Sequence, residues 1–371
     1  MSIRPTVATV DLAAVRHNLQ VIRRLAPGRP ICAVVKANAY GHGLTKVGLT
    51  LDQEGVEWLG VALIEEGVQL RMAGVSTPIL VLGTAYFGSI SDIVDYDLVP
   101  AIFRVDQLAA LAGAAQGTPA RFHLKIDTGM ARLGLQPDEL DTFLDATARW
   151  PNLQLNGVMT HLASADIGDV EFTSAQLKAF GDCRERIRDR GLNPRWMHAS
   201  NSAATLSFAD ADLGVLRIGL ALYGLDPRVE RDEVGLLPAM QWTTRPVHIK
   251  TVPPGTRVSY GGHWVARRPS SIATLPVGYA DGYCRAFSNR ASVLVRGRRA
   301  PVVGSVCMDL CIIDVTDISG VSLQDEVVLM GRQGDDQISA YDLAGWADTV
   351  PYEIICGVGT RVPRHHVDSA A

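Results

Sequence analysis

The chain has 371 residues, 47% of them hydrophobic, with 35 Lys and Arg set against 39 Asp and Glu. A formal net charge of −4 with both signs interspersed offers no basic face to nucleic acid, and no apolar run reaches the ~18 residues of a membrane span. The length passes the roughly 250–300 residues at which single cores stop growing, so two domains are expected, over residues 1–233 and 234–371. The amino terminus lacks a charged-then-apolar signal pattern. Six cysteines without CxxC spacing read as reduced, mostly buried thiols of a cytoplasmic protein, with Cys307 and Cys311 as two core positions on one face of a strand.

In chain order, Asp11 reads as the N-cap of a helix with apolar residues at Leu12, Val15, Leu19, Ile22 and Leu25. Strand-like runs follow at 31–35, 58–63, 78–82, 98–103, 121–126, 155–162, 196–200 and 215–218, with helical patterns between them. Eight strands alternating with helices over about 230 residues predict a (β/α)8 TIM-like barrel rather than an open doubly wound sheet. Gly357-Val-Gly359 is too short for the glycine loop of a dinucleotide fold. Arg184, Arg186, Arg188 and Arg190 alternate with Glu185 and Asp189 as a solvated helix face. Beyond residue 233, Pro and Gly punctuate short β-rich runs at 271–275, 292–295 and 311–315, which predicts a C-terminal, mainly β domain. His365-His366 is expected in a frayed tail, and the scattered histidines form no metal-ligand cluster.

In a barrel, reactive groups belong at the carboxyl ends of the strands. Lys36 ends the first apolar run; Lys125, Asp127 and Arg132 follow the fifth. His161 falls on the sixth, His198, Asn201 and Ser202 follow the seventh, and Arg217 and Gly219 lie at the eighth. A lone strand-end lysine is usually a side chain snorkelling to water, and Asn201-Ser202 alone would be an ordinary N-cap. Together, an amine at one strand end and an anion cradle near the seventh and eighth strands suggest pyridoxal 5'-phosphate, whose aldehyde takes an amine and whose phosphate takes a helix start.

At this point the residues carry a family resemblance. Val35-Lys-Ala-Asn-Ala-Tyr-Gly-His-Gly43 is similar to the cofactor-lysine motif of the alanine racemases, fold-type III pyridoxal phosphate enzymes. The segments Lys125-Ile-Asp-Thr-Gly-Met-Ala-Arg132, His198-Ala-Ser-Asn-Ser-Ala-Ala204 and Arg217-Ile-Gly219 resemble further blocks in that family's order. So do Val258-Ser-Tyr-Gly261, Gly278-Tyr-Ala-Asp-Gly282, Cys307-Met-Asp309 and Val350-Pro-Tyr-Glu353, so that the resemblance covers nearly the whole chain.

The resemblance implies a cytoplasmic homodimer that interconverts L- and D-alanine and supplies D-alanine for peptidoglycan, with active sites shared between subunits. It implies Lys36 as the Schiff-base lysine and one proton-transfer group, and Tyr260 of the other subunit as the second, with His161 its partner. Arg217 would face the cofactor ring nitrogen, Tyr40, Asn201, Ser202, Gly219, Leu220 and Tyr352 would bind the cofactor, and Arg132 and the Met308 backbone would hold the substrate carboxylate. Lys125, carbamylated in many members, would position that arginine, with His198 and Asp309 in support and Asp166, Tyr279 and Arg285 at the entrance. Ser305 departs from the pattern, because the family usually has an arginine at the entrance there. A broader racemase acting on serine or basic amino acids is the nearest alternative. A non-catalytic pyridoxal phosphate carrier is the alternative of another class, and it would need neither the β domain nor Tyr260 and Met308.

Overall fold

The structure, a computed structural model, describes residues 4–83, 90–207, 214–228 and 234–369. These form two compact units: Val15–Ala39 with Leu44–Leu237, and Met1–Ala14 with Tyr40–Gly43 and Pro238–Ala371. No described helix is long and apolar enough to cross a membrane.

Strand β1 (Val7–Asp11) opens the chain and belongs to the second of these units. The other unit is built on β2 (Ile31–Val34), β3 (Trp58–Val61), β4 (Ile79–Val81), β5 (Leu98–Ile102), β6 (Ala120–Lys125), β7 (Leu153–Met159), β8 (Trp196–His198) and β9 (Leu216–Ile218). Each pairs in parallel with its neighbour, and β9 pairs in parallel with β2. The Val215 N–H donates to Met197 O at 2.8 Å across the remaining seam, leaving the eight-stranded barrel nearly closed. All eight sequence runs overlap these strands, most losing one to three residues where the chain turns into loops, while β6 and β7 begin one and two residues before their runs. They are readable because strands buried on both faces are continuous apolar runs. Cys32, Trp58, Leu80, Val99, Ala101, Met159 and Val215 pack together as one apolar cluster.

The first helix, Leu12–Leu25, is capped by Asp11, whose carboxylate accepts the Ala13 N–H at 2.9 Å. Leu19 and Ile22 are fully buried, whereas Leu25 at the helix end is 38% exposed. Arg186 on the helix Val170–Asp189 and Arg190 at its C-cap reach Asp141, and Arg190 also Asp145, along a solvated face.

The second unit is mainly β, as its punctuation predicts. Its strands are β10 (Met240–Thr244), β11 (His248–Val252), β12 (Arg257–Val258), β13 (Trp264–Val265), β14 (Ser270–Leu275), β15 (Ser292–Val295), β16 (Arg298–Pro301), β17 (Cys311–Asp314), β18 (Val327–Gln333), β19 (Asp336–Ile338) and β20 (Arg364–Val367). One sheet runs β16-β15-β18-β10-β1-β20, with β19 on β18, and a second runs β11-β14-β17. Trp242, Tyr283 and Phe287 form its buried aromatic core, with ring centroids 5.9 and 4.7 Å apart.

Two expectations fail here. His365 and His366 are not a frayed tail: they lie on β20, which pairs in parallel with β1, and His366 Nε2 is 2.8 Å from His42 O. Cys307 is not a strand position facing the core like Cys311. It sits half-buried in the preceding loop, its N–H bonded to Leu310 O, because the chain must turn at 307–310 to enter β17. All six cysteines are free thiols; Cys32, Cys183 and Cys311 are buried, Cys284 and Cys307 half-buried and Cys356 exposed.

Candidate active site

Lys36 follows the end of β2, directly after Val35, whose N–H donates to Gly60 O at 2.8 Å. The next residues turn the wrong way for L-amino acids. Ala37, Asn38, Ala39 and Tyr40 have φ of 53, 56, 53 and 52°, a left-handed helical turn, and such residues cost roughly 1–2 kcal/mol each. Neighbouring groups over-determine it. Glu66 accepts the Ala37 N–H at 2.6 Å through one oxygen and the Ala62 and Leu63 N–H groups through the other. Ala39 N–H bonds Val35 O, and the Asn38 side chain accepts Leu44 N–H at 2.8 Å. Glu66 is a positioning residue that the sequence reading missed; its only local signal is a carboxylate three residues after Leu63, where it closes the start of the helix Ile64–Met72.

Arg217, on β9 beside Cys32 of β2, is 3% exposed. Its Nη1 donates to His198 O at 3.0 Å and lies 3.2 Å from His198 Nδ1. Nη2 donates to Thr160 O and Ala199 O at 2.7 and 3.0 Å and lies 3.2 Å from His161 Nδ1. Nε–H has no partner among the described residues. Burial pushes the guanidinium down to about 10, so it stays charged at neutral pH. Since guanidinium only donates, both histidines accept at Nδ1 and carry their proton on Nε2. His198 therefore donates from Nε2 to His123 Nδ1, 2.8 Å away, which leaves the His123 proton on a buried Nε2, where the Asn156 side chain is its hydrogen-bonding neighbour. Burial, then neighbouring positive charge, holds His161 and His198 well below the usual imidazole range, and burial takes His123 to about 3.

His161 lies two residues beyond β7, not on it, and its loop is held by Gln176, which donates to His161 O at 3.1 Å and accepts Ala163 N–H at 2.9 Å. Lys125, the last residue of β6, is buried; desolvation and the charges of Arg217, Arg132 and Lys36 push its amine down to about 8. Asp127 accepts the Gly129 and Ala131 N–H groups, shaping the loop that carries the exposed Arg132. Lys125, Asp127, Arg132, Thr160 and His161 line one cavity. With Lys36 and Arg217 acting on Lys125 from beside it, four cations converge on this region, a field that favours an anionic ligand.

Ser202 opens the short helix Ser202–Ser207, and its Oγ accepts the Gly219 N–H at 2.9 Å, leaving the hydroxyl proton to donate outward. Leu220 starts the next turn, where first-turn N–H groups have no intrahelical acceptor. Asn201 is a cap: its amide accepts Ala204 N–H and donates to Leu162 O. Asp166 is exposed.

The remaining candidates belong to the second unit. Tyr40 is buried, its phenol pushed up by desolvation, and its ring centroid is 6.2 Å from that of Tyr352 on the helix Pro351–Gly357. Tyr260 is 74% exposed, and Met308, Tyr279 and Arg285 are exposed too. Asp309 pairs with Arg361 at 2.7 Å, Arg361 lies 3.6 Å from the buried Asp281, and Arg4 clamps Asp281 at 2.9 Å.

Two family models cover the chain: that of the alanine racemase N-terminal domain matches residues 10–227, and that of the C-terminal domain matches residues 239–366. The chain belongs to the alanine racemase family. It is 44% identical to the alanine racemase of Halothermothrix orenii over 98% of this chain and 97% of that one. It is 45% identical to that of Symbiobacterium thermophilum over the same shares. Among solved structures, the alanine racemase of Bacillus anthracis with bound L-Ala-P superposes with a TM-score of 0.93 at 36% identity, covering 99% of this chain and 96% of that one. The Streptomyces lavendulae alanine racemase gives 0.94 at 34% identity, covering 100% and 99%. Alanine racemases are isomerases that work with pyridoxal phosphate. The donor set described here fits that group: a strand-end amine, a buried guanidinium with one N–H left over, and a hydroxyl with free first-turn N–H groups suited to phosphate.

Proposed function

We propose that this chain is a cytoplasmic, homodimeric alanine racemase that interconverts L- and D-alanine and supplies D-alanine for peptidoglycan. The observation that carries the reading is Arg217, buried in the barrel with both terminal nitrogens engaged and Nε–H remaining. That is a donor suited to a ring nitrogen. A guanidinium still charged at about 10 gives a hydrogen bond without giving up its proton, so the ring would stay unprotonated and side reactions would be restrained.

When bound, pyridoxal phosphate supplies an electron-withdrawing ring that acidifies the α-proton of the amino acid joined to it. Lys36 anchors the group and moves the proton on one face, while Tyr260 from the second subunit moves it on the other, so that inversion needs no rotation of the substrate. Tyrosine is a weak base at its usual pKa of about 10, and His161, neutral and presenting Nε2–H, is the donor that would stabilise its phenolate. The phosphate would be held by Tyr40, Ser202, Gly219, Leu220 and Tyr352, and the substrate carboxylate by Arg132 and the Met308 N–H. An exposed Tyr260 and Met308 fit a surface that meets a second copy.

The test is racemisation of L-alanine, L-serine and L-lysine by the cofactor-loaded protein, followed by borohydride fixation and peptide mapping. The reading expects D-alanine as the favoured product and the fixed cofactor on Lys36. Fixation on another lysine, or no D-alanine from fully loaded protein, overturns it.

A further inference from the structure

Tyr260 sits at the tip of the hairpin formed by β12 and β13, within the turn Tyr260–Gly262. A hairpin tip with an exposed ring has little packing of its own to aim that ring. The backbone just before it is nevertheless forced into a conformation that side-chain-bearing residues avoid, with Ser259 at φ 62° and ψ −174°. A second turn of the same unit answers it, atom for atom. The Ser259 hydroxyl donates to Ser305 O at 2.7 Å, and the Ser305 hydroxyl donates back to Tyr260 O at 2.9 Å. Cys307 Sγ lies 3.4 Å from Ser259 Oγ and donates to Ser305 O.

The second turn is itself pinned from behind. Gly304 N–H bonds the Asn289 side chain at 2.6 Å and Val306 N–H bonds Ser288 Oγ at 2.9 Å. A Cβ on Gly304 would meet Val258 O at 2.7 Å and Ser259 Cβ at 2.8 Å, so only glycine lets the two turns close. Ser305 is 7% exposed, with its hydroxyl committed to this contact.

We infer that Ser305 and Ser259 form a reciprocal latch that holds the strained 259–260 backbone and thereby aims the Tyr260 phenol; Ser305 is a positioning residue for Tyr260. The inference rests on the reading of Tyr260 as the second proton-transfer group. Its consequence is that the phenol is set by backbone bonds of its own chain before any second surface meets it.

The experiment uses the full-length, cofactor-loaded protein labelled with 3-fluorotyrosine, the residue-260 resonance being identified by its loss in Tyr260→Phe. In Ser305→Ala that resonance is expected to shift or broaden while the other tyrosines stay put. kcat is expected to fall about three- to tenfold with KM little changed, as for a misaimed group. The ratio of solvent-deuterium entry starting from L- and from D-alanine is expected to change, and Ser305→Thr, which keeps the hydroxyl, to restore both readouts. Ser259→Gly accepts the positive φ but lacks the hydroxyl; it is expected to broaden the same resonance, and it serves if Ser305→Ala does not fold. A residue-260 resonance unmoved in either variant overturns the latch whatever the kinetics. Equal loss of exchange from both enantiomers in Tyr260→Phe overturns the catalytic reading of Tyr260 instead, and the resonance then judges the latch alone.

Discussion

Arg217 decides the protonation of three histidines, because a group that only donates leaves its partners to accept. His161, His198 and His123 are consequently neutral in the fold, and burial keeps each well below the unfolded value near 6.5. The sign follows from proton counts: below about pH 6.5 the unfolded chain binds protons at these sites and the folded chain does not. Stability is thus present above pH 6.5 and is lost as pH falls below it, for His123 through a window that reaches down to about 3, at roughly 1.4 kcal/mol per pH unit. Urea midpoints between pH 7 and pH 5 are expected to drop steeply in the wild type and less in His123→Phe compared with its own pH 7 value; parallel curves would refute the neutral chain. Lys125 offers a second residue-scale test. An amine pushed down to about 8 among Lys36, Arg132 and Arg217 can lose its proton and add to carbon dioxide, releasing a second proton to solvent as the N–C bond forms, so that one cation is replaced by an anion beside Arg132. Carbon-13 bicarbonate is expected to give a carbamate NMR signal that disappears in Lys125→Ala. Lys36→Ala is expected to abolish racemisation in both directions, whereas Tyr260→Phe is expected to stop inversion yet let solvent deuterium keep entering one enantiomer.

At the scale of elements, the site depends on a turn and a strand that local propensity would not choose. The left-handed turn Ala37–Tyr40 is tied by the Asn38–Leu44 and Ala39–Val35 bonds and by the Ala37 N–H to Glu66, whose other oxygen is anchored on the Ala62 and Leu63 N–H groups. Glu66→Ala is expected to destabilise the protein by about 2–4 kcal/mol, since it strands those donors, and to weaken cofactor retention in gel filtration; unchanged retention would show that the turn holds Lys36 without it. On β7, Gly157 leaves the room that the His123 ring occupies, since a Cβ there would meet its atoms at 2.7–2.8 Å. Gly157→Ala is expected to cost about 1–3 kcal/mol by overpacking and to break the 2.8 Å His123–His198 contact, with the His198 imidazole nitrogen-15 shifts as the check.

For the whole molecule, the demanding expectation is that two chains build each site, Lys36 from one and Tyr260 with Met308 from the other. Monomers are then inactive. Mixing Lys36→Ala with Tyr260→Phe subunits under exchange conditions is expected to restore one native site per mixed dimer, about a quarter of wild-type activity per site if pairing is statistical. Native mass spectrometry checks that exchange has occurred; mixed dimers without activity would refute the shared site.

The eight barrel strands were legible because a doubly buried strand is an apolar run bounded by polar punctuation, and the strand-end positions of Lys36, Lys125 and His198 were legible because that punctuation marks where each strand ends; Arg217 lies inside β9. Those are properties of consecutive residues. What only the tertiary structure decided involves partners far along the chain. The strand Val7–Asp11 went unread, and its pairing with β10 and with β20, where His365 and His366 lie, is set by partners more than 200 residues away, because a period of two carries no address. Within Lys36-Ala-Asn-Ala-Tyr40 only Asn38 tolerates a left-handed turn readily; Glu66, 29 residues away, helps to hold it. The tautomers of His161, His198 and His123, and the bond from Ser305 to Tyr260, arise where donors and acceptors meet across turns and strands, and a linear sequence does not contain that meeting.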